Sequence, residues 1–452
     1  MHFLEKYKAS ILLVLLTALY FYFAYFLERT SYWSFAALWI SLFTASYFLY
    51  RDKQEDAAFL TAAAVLFRLA FLFALPNLSQ DFYRFIWDGR MLAQGYNPYL
   101  SLPQTFIEQH EYPIAQAVEL YEGMGSLNGS HYTNYPPINQ LCFWIASTLS
   151  GTSILGAVGI MRALIILADI GIIIYGKKIL QDLQMPKSQI YWYALNPFVI
   201  IELTGNLHFE PVMLFFMVAS IYYLLKNKWL LSAFLLAASV AVKLIPLLFL
   251  PLFLPYFLNA EKHWKTGLLK TIGYTGMVLL STLLFFIPFI DGAFIANYSN
   301  SVGLWFRNFE FNASLYYIAR AIGYWFRGYN EIAIIGKIMP VLALLFLGYL
   351  TFRKQGKDPQ YLLVSMLFGL SFYYFTSTTV HPWYVATPLI LTVFTRYTFP
   401  IVWSAVLILS YQAYANTPWQ EHLWIIALEY LLLFGYLIYE LRTVKGGHLF
   451  SK

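Results

Sequence analysis

The residues best suited to chemistry are concentrated in the stretch 79–99, SQDFYRFIWDGRMLAQGYNPY. Asp81, Arg84, Asp88 and Arg90 lie within ten residues of one another, in a chain of which only 12% is charged. If the stretch is helical, Asp81, Arg84 and Asp88 lie at i, i+3 and i+7 and share one face. A carboxylate can act as a general base, and the guanidinium groups can bind a phosphate or pair with the carboxylates. The sequence leaves both roles open for Arg84 and Arg90.

Four more polar residues interrupt apolar sequence. His208 and Glu210 lie two apart in GNLHFEPV, between two predicted spans, and His381 precedes a proline in STTVHPWY. Lys243 lies in SVAVKLIPLLFLPLFLP, where an unpartnered lysine would cost about 2.5–3.5 kcal/mol at the bilayer centre. If two half-spans meet at Lys243, its ammonium could reach a phosphate, whereas snorkelling to water is the structural alternative. The histidines could likewise be ordinary helix-end residues.

The composition predicts the class of fold that positions these residues. Of 452 residues, 60% are hydrophobic and 20% aromatic, whereas a soluble chain carries about a quarter charged residues. Apolar runs near 20 residues predict an all-α polytopic membrane protein with about 12–14 transmembrane helices. We expect a single domain, 1–452, with two larger extracytoplasmic loops at 77–157 and 290–330.

The distribution of Lys and Arg predicts the orientation. With the N-terminus in the cytoplasm, most basic residues fall on inner loops, as the positive-inside rule requires. Both termini are then cytoplasmic, and the candidate residues lie on the extracytoplasmic side. We interpret the first apolar run as a retained span and the segments 135–151 and 313–326 as re-entrant or interfacial helices. Arg162 and Asp169 are expected to pair with each other or to line a cavity.

Several protein classes lack sequence support. The chain has no GxxxxGK[ST], GxGxxG, HExxH or CxxC motif, and no DxD motif in the predicted inner loops. The single cysteine, Cys142, excludes an intramolecular disulfide. No basic stripe suggests nucleic acid as a partner. Because the acidic and histidine residues collect outside, where nucleotide sugars are not available, a sugar donor at this face would need a lipid carrier.

Five blocks carry a resemblance to a known family. The stretch 79–99 resembles the signature of bacterial polyprenol-phosphate-mannose-dependent mannosyltransferases of the GT-C superfamily. Further blocks similar to the family follow in the family's order: YPPINQLCFW, ALNPFVIIELTGNLHFEPVML and VKLIPLLFLP, with TTVHPWY later. The resemblance extends from about Leu75 to Pro388. Gln80 stands where the family often has a second acid, and His208-Phe209-Glu210 stands where it commonly has His-Asn-Asp.

The resemblance implies inverting transfer of a hexose, most simply mannose, from a polyprenyl-phosphate carrier at the outer face of a bacterial inner membrane. It implies that Asp81 deprotonates an acceptor hydroxyl of a glycan, glycolipid or protein, with no cofactor and no metal. Lys243, with Arg84 or Arg90, would hold the lipid phosphate.

Asp88, His208, Glu210 and His381 are the remaining predicted substrate-binding residues, with the last three orienting sugar or acceptor. Two alternatives stay open: a non-catalytic transporter or flippase of lipid-linked sugars, and a GT-C transferase for another sugar or aminosugar. The partners expected in either case are a lipid-linked sugar and the bilayer.

Overall fold

The computed structural model describes residues 2–307, 309–353 and 358–443, and within these ranges the fold is all-α. The first ten helices are α1 (His2–Phe26), α2 (Tyr32–Lys53), α3 (Ala57–Leu69), α4 (Asp81–Ala93), α5 (Pro103–Glu108), α6 (Ala117–Gly129), α7 (Pro137–Ser150), α8 (Ile154–Asp182), α9 (Tyr191–Ala194) and α10 (Glu210–Leu225). The next ten are α11 (Trp229–Val240), α12 (Phe253–Ala260), α13 (Trp264–Phe286), α14 (Phe294–Arg307), α15 (Leu315–Arg327), α16 (Ile332–Phe352), α17 (Gln360–Thr376), α18 (Ala386–Val393), α19 (Phe399–Val406) and α20 (Leu423–Thr443).

Shorter helical turns connect these elements. A π-helical segment covers Val199–Gly205, and 3-10 segments cover Lys187–Ile190, Ile245–Leu252, Ile287–Phe289, Pro382–Val385 and Leu407–Ala415. Within the described ranges the only β pairing is an isolated bridge between Phe311 and Thr379. The predicted all-α class is therefore confirmed.

Six helices in the described part of the chain are long and apolar enough to cross a bilayer: Tyr7–Phe26, Tyr32–Lys53, Ile154–Asp182, Trp264–Phe289, Ile332–Phe352 and Leu423–Thr443. The segment Val199–Gly205 and α10 form a seventh candidate, bent by 110° between its two parts. Several other predicted spans are shorter apolar helices, below the length of about 20 residues that a crossing needs. The protein is thus a polytopic membrane protein, whereas the predicted number of crossings, the division into domains and the orientation stay predictions.

The two predicted outer loops fold into helices. Segment 77–157 contains α4 to α7, and segment 290–330 contains α14 and α15. The predicted re-entrant segment 135–151 becomes the short helix α7, which packs against α4. A Cβ at Gly89 would lie 2.2 Å from the carbonyl oxygen of Phe143, so only glycine permits this approach. The glycine of the WDGR motif therefore serves helix packing.

Two of the helix breaks lie at places where polar residues interrupt apolar sequence. Helix α11 ends at Val240 and a 3-10 segment begins at Ile245, so Lys243 lies in the predicted break. The backbone amide of Ile138 and the side-chain amide of Asn139 donate to the carbonyls of Ala241 and Val242, both at 2.9 Å. The start of α7 thereby fixes the turn that carries Lys243.

The second break, between the π-helical segment and α10, is held by Arg162. Its guanidinium donates to the carbonyls of Thr204 at 3.0 Å and Gly205 at 2.8 Å. The expected pairing of Arg162 with Asp169 is wrong, because Asp169 instead pairs with Arg68 at 2.7 Å. Neither residue lines the cavity described below. A guanidinium can donate hydrogen bonds to several carbonyls that a helix break leaves without partners, which explains why Arg162 lies at this break.

Candidate active site

A cavity of about 520 Å³ lies where the start of α4, the turn at Lys243, α16 and the end of α17 meet. Among the residues that the structure describes, three charged side chains line it: Arg29, Asp81 and Lys243. His381 also contributes to the wall. Residues separated by 300 positions in the sequence are thus brought to one chamber. The sequence predicts that Asp81, Lys243, His208 and Glu210 meet in one chamber. Of these, Asp81 and Lys243 line the cavity, whereas His208 and Glu210 do not.

Asp81 is the first residue of α4, where a helix N-terminus favours negative charge. The side-chain amide of Asn128 donates to its Oδ1 at 3.0 Å, and the carboxylate lies in the cavity wall. Burial raises the pKa of Asp81 above its ordinary value of 3.8, and the Asn128 hydrogen bond and the charges of Lys243 and Arg29 offset part of this rise. A raised pKa brings a carboxyl group closer to the range that suits a general base.

Lys243 forms an ion pair with Glu210. The lysine side chain keeps 25% of its exposure, whereas Glu210 keeps only 3%, so the ammonium faces the cavity and the carboxylate lies behind it. Glu210 begins α10, directly after the bend at 206–209. The pair compensates the charge of a partly buried lysine and fixes the direction of its ammonium.

His208 lies behind the cavity wall and reaches it through an aromatic stack. Its ring stacks on Trp383 with centroids 3.8 Å apart, and Trp383 stacks on His381 at 4.5 Å. On its other side, His208 Nε2 lies 3.5 Å from a carboxylate oxygen of the buried Glu202. Trp383 and His381 line the cavity and His208 does not, so His208 can position the wall but does not face the chamber.

Arg84, Asp88 and Arg90 do not line this cavity. Arg84 Nε binds Asp88 Oδ1 at 2.8 Å, and Arg84 Nη1 donates to the carbonyls of Asn128 and His131 at 2.6 and 3.0 Å. Asp88 Oδ2 accepts from Gln140 at 3.0 Å. The pair is buried and supports the end of α6, from which Asn128 reaches Asp81.

Arg90 donates to the carbonyls of Ala115 and Thr152 at 2.6 and 3.0 Å. It joins two connecting segments of the region between α4 and α8. Contact of Arg84, Asp88 or Arg90 with a substrate stays a prediction, and the chemistry proposed below does not need it.

The rest of the wall carries hydroxyl and aromatic side chains, which suit a sugar. It includes Tyr373, Tyr374, Thr376, Ser377, Thr378, Thr379, Tyr384, Tyr414 and Trp419. The segment around Phe311 forms one rim: its backbone exchanges hydrogen bonds with Thr378 at 3.2 Å and Val380 at 2.8 Å. Hydroxyl groups for hydrogen bonding and aromatic faces for stacking therefore surround the three charged groups.

Sequence reasoning missed four residues of this region. Arg29, Asn128 and Trp383 line the cavity, and Glu202 contacts His208. Arg29 carried a signal, since it is a basic residue on a short loop assigned to the side opposite most basic residues. Asn128 contacts Asp81, which is distant from it in sequence, and Glu202 contacts a histidine behind the cavity wall. No sequence pattern around either residue indicates these contacts. In the described residues, no group of three His, Cys, Asp or Glu side chains could hold a metal ion; independence from metal stays a prediction.

The helical membrane fold and this cavity fit an integral-membrane glycosyltransferase, and comparison with known proteins identifies the family. Residues 8–259, more than half of the chain, match the family described as alpha-(1->6)-mannopyranosyltransferase, N-terminal domain. The chain belongs to this family, and with it to the GT-C-like mannosyltransferases. The match includes Arg29, Asp81, His208, Glu210 and Lys243 and ends before His381.

The chain is also similar to alpha-(1->6)-mannopyranosyltransferase A of Corynebacterium glutamicum. The two are 26% identical over 209 residues, which is 44% of this chain and 38% of the relative. The match thus spans well under half of the relative's length. The predicted mannosyltransferase family is confirmed, whereas donor, acceptor and linkage belong to the proposal that follows.

Proposed function

We propose that this protein transfers mannose from a polyprenyl-phosphate carrier to a carbohydrate hydroxyl, on the extracytoplasmic side of the membrane and with inversion at the anomeric carbon. The observation that carries the proposal is the shared cavity: Asp81, held by Asn128, and Lys243, held by Glu210, line one chamber. Family membership supports mannose as the sugar.

Asp81 is the base in this proposal. Its carboxylate accepts the proton of the acceptor hydroxyl while the acceptor oxygen attacks the anomeric carbon. The bond between this carbon and the phosphate oxygen breaks, and its electron pair stays on the lipid phosphate. Asp81 then releases its proton to water. Positioning and electrostatic stabilisation are enough for this displacement, because the phosphate is already a good leaving group.

Lys243 binds the phosphate in the same scheme. Glu210 directs the ammonium toward the cavity, and the His208–Trp383–His381 stack supports the wall against which sugar or acceptor lies. The aromatic and hydroxyl side chains of the wall bind the two sugars, so a glycan or glycolipid suits the acceptor site.

The extracytoplasmic side is supported by the ends of the first two spans. Arg29 of the cavity wall follows the end of α1, whereas the last turn of α2 carries Arg51 and Lys53 at the opposite end of that span. The positive-inside rule assigns the end with Arg51 and Lys53 to the cytoplasm. The cavity then opens on the other side, where a lipid carrier supplies the sugar.

The test is transfer by purified full-length protein in liposomes that contain radiolabelled polyprenyl-phosphate mannose and a manno-oligosaccharide acceptor. We expect labelled product with inverted configuration, unchanged by added chelator. Polyprenyl-phosphate glucose in a parallel reaction tests the sugar. Absence of transfer with every donor, or movement of intact donor across the bilayer without product, would refute the proposal.

A further inference from the structure

Arg29 lies in the short connection between α1 and α2, and no role in the chemistry described above uses it. One guanidinium nitrogen donates to the carbonyl of Leu78 at 2.8 Å. The guanidinium carbon lies 4.4 Å from the ring centre of Tyr414. Leu78 precedes Asp81 by three residues, so this contact ties Arg29 to the segment that carries the proposed base.

The charge of Arg29 is not compensated in the way that the charge of Lys243 is. Lys243 pairs with Glu210, whereas the described residues place no carboxylate within ion-pair distance of Arg29. A guanidinium has five N–H donors, and one of these binds the Leu78 carbonyl. Among the described side chains, the cavity therefore holds two cations, Arg29 and Lys243, and of these Lys243 alone has a carboxylate partner.

The proposed reaction, on which this inference rests, changes the charge of the lipid phosphate. A polyprenyl-phosphate sugar is a phosphodiester with one negative charge. Loss of the sugar leaves a phosphate monoester, which carries about −1.5 to −2 charges at neutral pH because its second pKa lies near 6. A site that binds the leaving group during transfer must accept this additional charge.

We propose that Arg29 and Lys243 together form a binding site for a phosphate monoester dianion, with Arg29 binding the negative charge that appears as the sugar leaves. Both cations line the cavity with Asp81. The fork of the guanidinium can donate two parallel hydrogen bonds to phosphate oxygens, which an ammonium cannot do. In this proposal, Arg29 has the phosphate-binding role that the family resemblance implied for Arg84 or Arg90.

A purely structural role is the alternative, because Arg29 also contacts Leu78 and Tyr414. The two roles differ in what they predict for ligand charge. A structural arginine affects the binding of every ligand of the cavity equally. A phosphate-binding arginine affects charged lipid more than neutral lipid, and affects it more at a pH where the monoester is doubly ionised.

The experiment measures equilibrium binding of labelled polyprenyl monophosphate and of the neutral polyprenol to the full-length protein in lipid nanodiscs, at pH 5 and pH 8. We expect Arg29→Gln to weaken monophosphate binding at the higher pH by roughly 10- to 100-fold, the usual value of a hydrogen bond to a charged group. Binding of polyprenol should not change. Arg29→Lys should retain part of the pH dependence, and Arg327→Gln, at an exposed arginine of α15, is the matched control.

Equal affinity of wild type and Arg29→Gln for the monophosphate, or equal loss for monophosphate and polyprenol, would overturn the proposal. A measurement on wild type covers the case in which Arg29→Gln does not fold. Phosphorus NMR should find that bound monophosphate loses its second proton at a pH below about 6, and an unshifted titration contradicts the site. Binding needs no turnover, so failure of the proposed function would appear separately, as absence of transfer by wild type.

Discussion

The two parts of helix α4 place similar residues in opposite situations. At its start, Asp81 faces a cavity and accepts a hydrogen bond from the side chain of Asn128. One and two turns further along, Arg84 and Asp88 face each other, are at most 3% exposed and bind protein groups. The first carboxylate is available to a ligand and the second is not. Among charged residues that are neighbours in sequence, the partners decide which one can do chemistry.

Substitutions in the two parts of α4 should therefore affect different properties of the protein. Changes at the start of α4 should remove activity and leave folding intact, whereas changes at Arg84 or Asp88 should lower stability first. The same contrast separates the two halves of the Lys243–Glu210 pair, since one side chain faces the cavity and the other is buried behind it.

The largest effect is expected for Asp81→Asn. Loss of a general base typically reduces turnover about 10²- to 10⁴-fold, and the asparagine is nearly isosteric, so insertion and thermal stability should match wild type. Radiolabelled transfer in liposomes measures the loss. Glu108→Gln, an exposed acid of the same segment, is the control and should transfer normally. Turnover by Asp81→Asn within a few fold of wild type would remove Asp81 from its role.

Lys243→Met should come next. When the ammonium of Lys243 is removed, the lipid phosphate loses a hydrogen bond to a charged group, which is worth roughly 10- to 100-fold in affinity. The buried Glu210 also loses its ion-pair partner. The single variant should therefore be both inactive and less stable. Adding Glu210→Gln should restore the thermal midpoint in detergent but not transfer. Recovery of transfer in the double variant would mean that the lysine serves only the ion pair.

Asp88→Asn should lower stability without removing the chemistry. Breaking a buried ion pair leaves Arg84 uncompensated, at a typical cost of about 3–5 kcal/mol. Denaturation in detergent measures this cost, and turnover per folded molecule should stay within an order of magnitude of wild type. The control is Lys226→Met, which removes the ion pair with Asp182, whose two side chains are 42% and 28% exposed; about 0–1 kcal/mol is expected. A stable Asp88→Asn protein with no turnover would reverse the comparison.

The smallest effect is a shift of the pH profile. The base must be ionised, so transfer should rise with pH through the pKa of Asp81, which burial places above the ordinary 3.8. Asn128→Ala removes a donor to the carboxylate, which raises this pKa further and moves the acid limb of kcat toward higher pH. Single-turnover rates as a function of pH measure the shift. An acid limb that does not move, or moves downward, is the contrary result.

The sequence predicted the features that depend on composition and local pattern. The all-α membrane class, the break at Lys243 and the shared location of Asp81 and Lys243 follow from hydropathy, prolines and isolated polar residues. The same reasoning also predicted His208 and Glu210 in the chamber, and these lie behind its wall. The sequence did not show that Asp81 faces a cavity whereas Arg84, Asp88 and Arg90 bind protein groups. Helical spacing predicts which side chains share a face, but it does not predict which groups of other helices lie against that face. Gln140 and Asn128, which decide the matter, lie about 50 residues away.

Arg162 illustrates the same limit. Its position seven residues before Asp169 indicated a pair, yet each side chain finds a closer partner on another element. The contribution of Arg29 was hidden for a related reason. A single arginine on a short loop has no local pattern, and only the packing of α1 against the segment 77–78 brings it to the cavity.

The most direct test is an experimental structure of the full-length Asp81→Asn protein with polyprenyl-phosphate mannose bound in a lipid environment. The account predicts the phosphate in contact with Lys243 and Arg29, the sugar against the wall that contains Trp383, and the anomeric carbon directed toward residue 81. A phosphate bound instead by Arg84 or Arg90, or a sugar whose anomeric carbon faces away from residue 81, would contradict it.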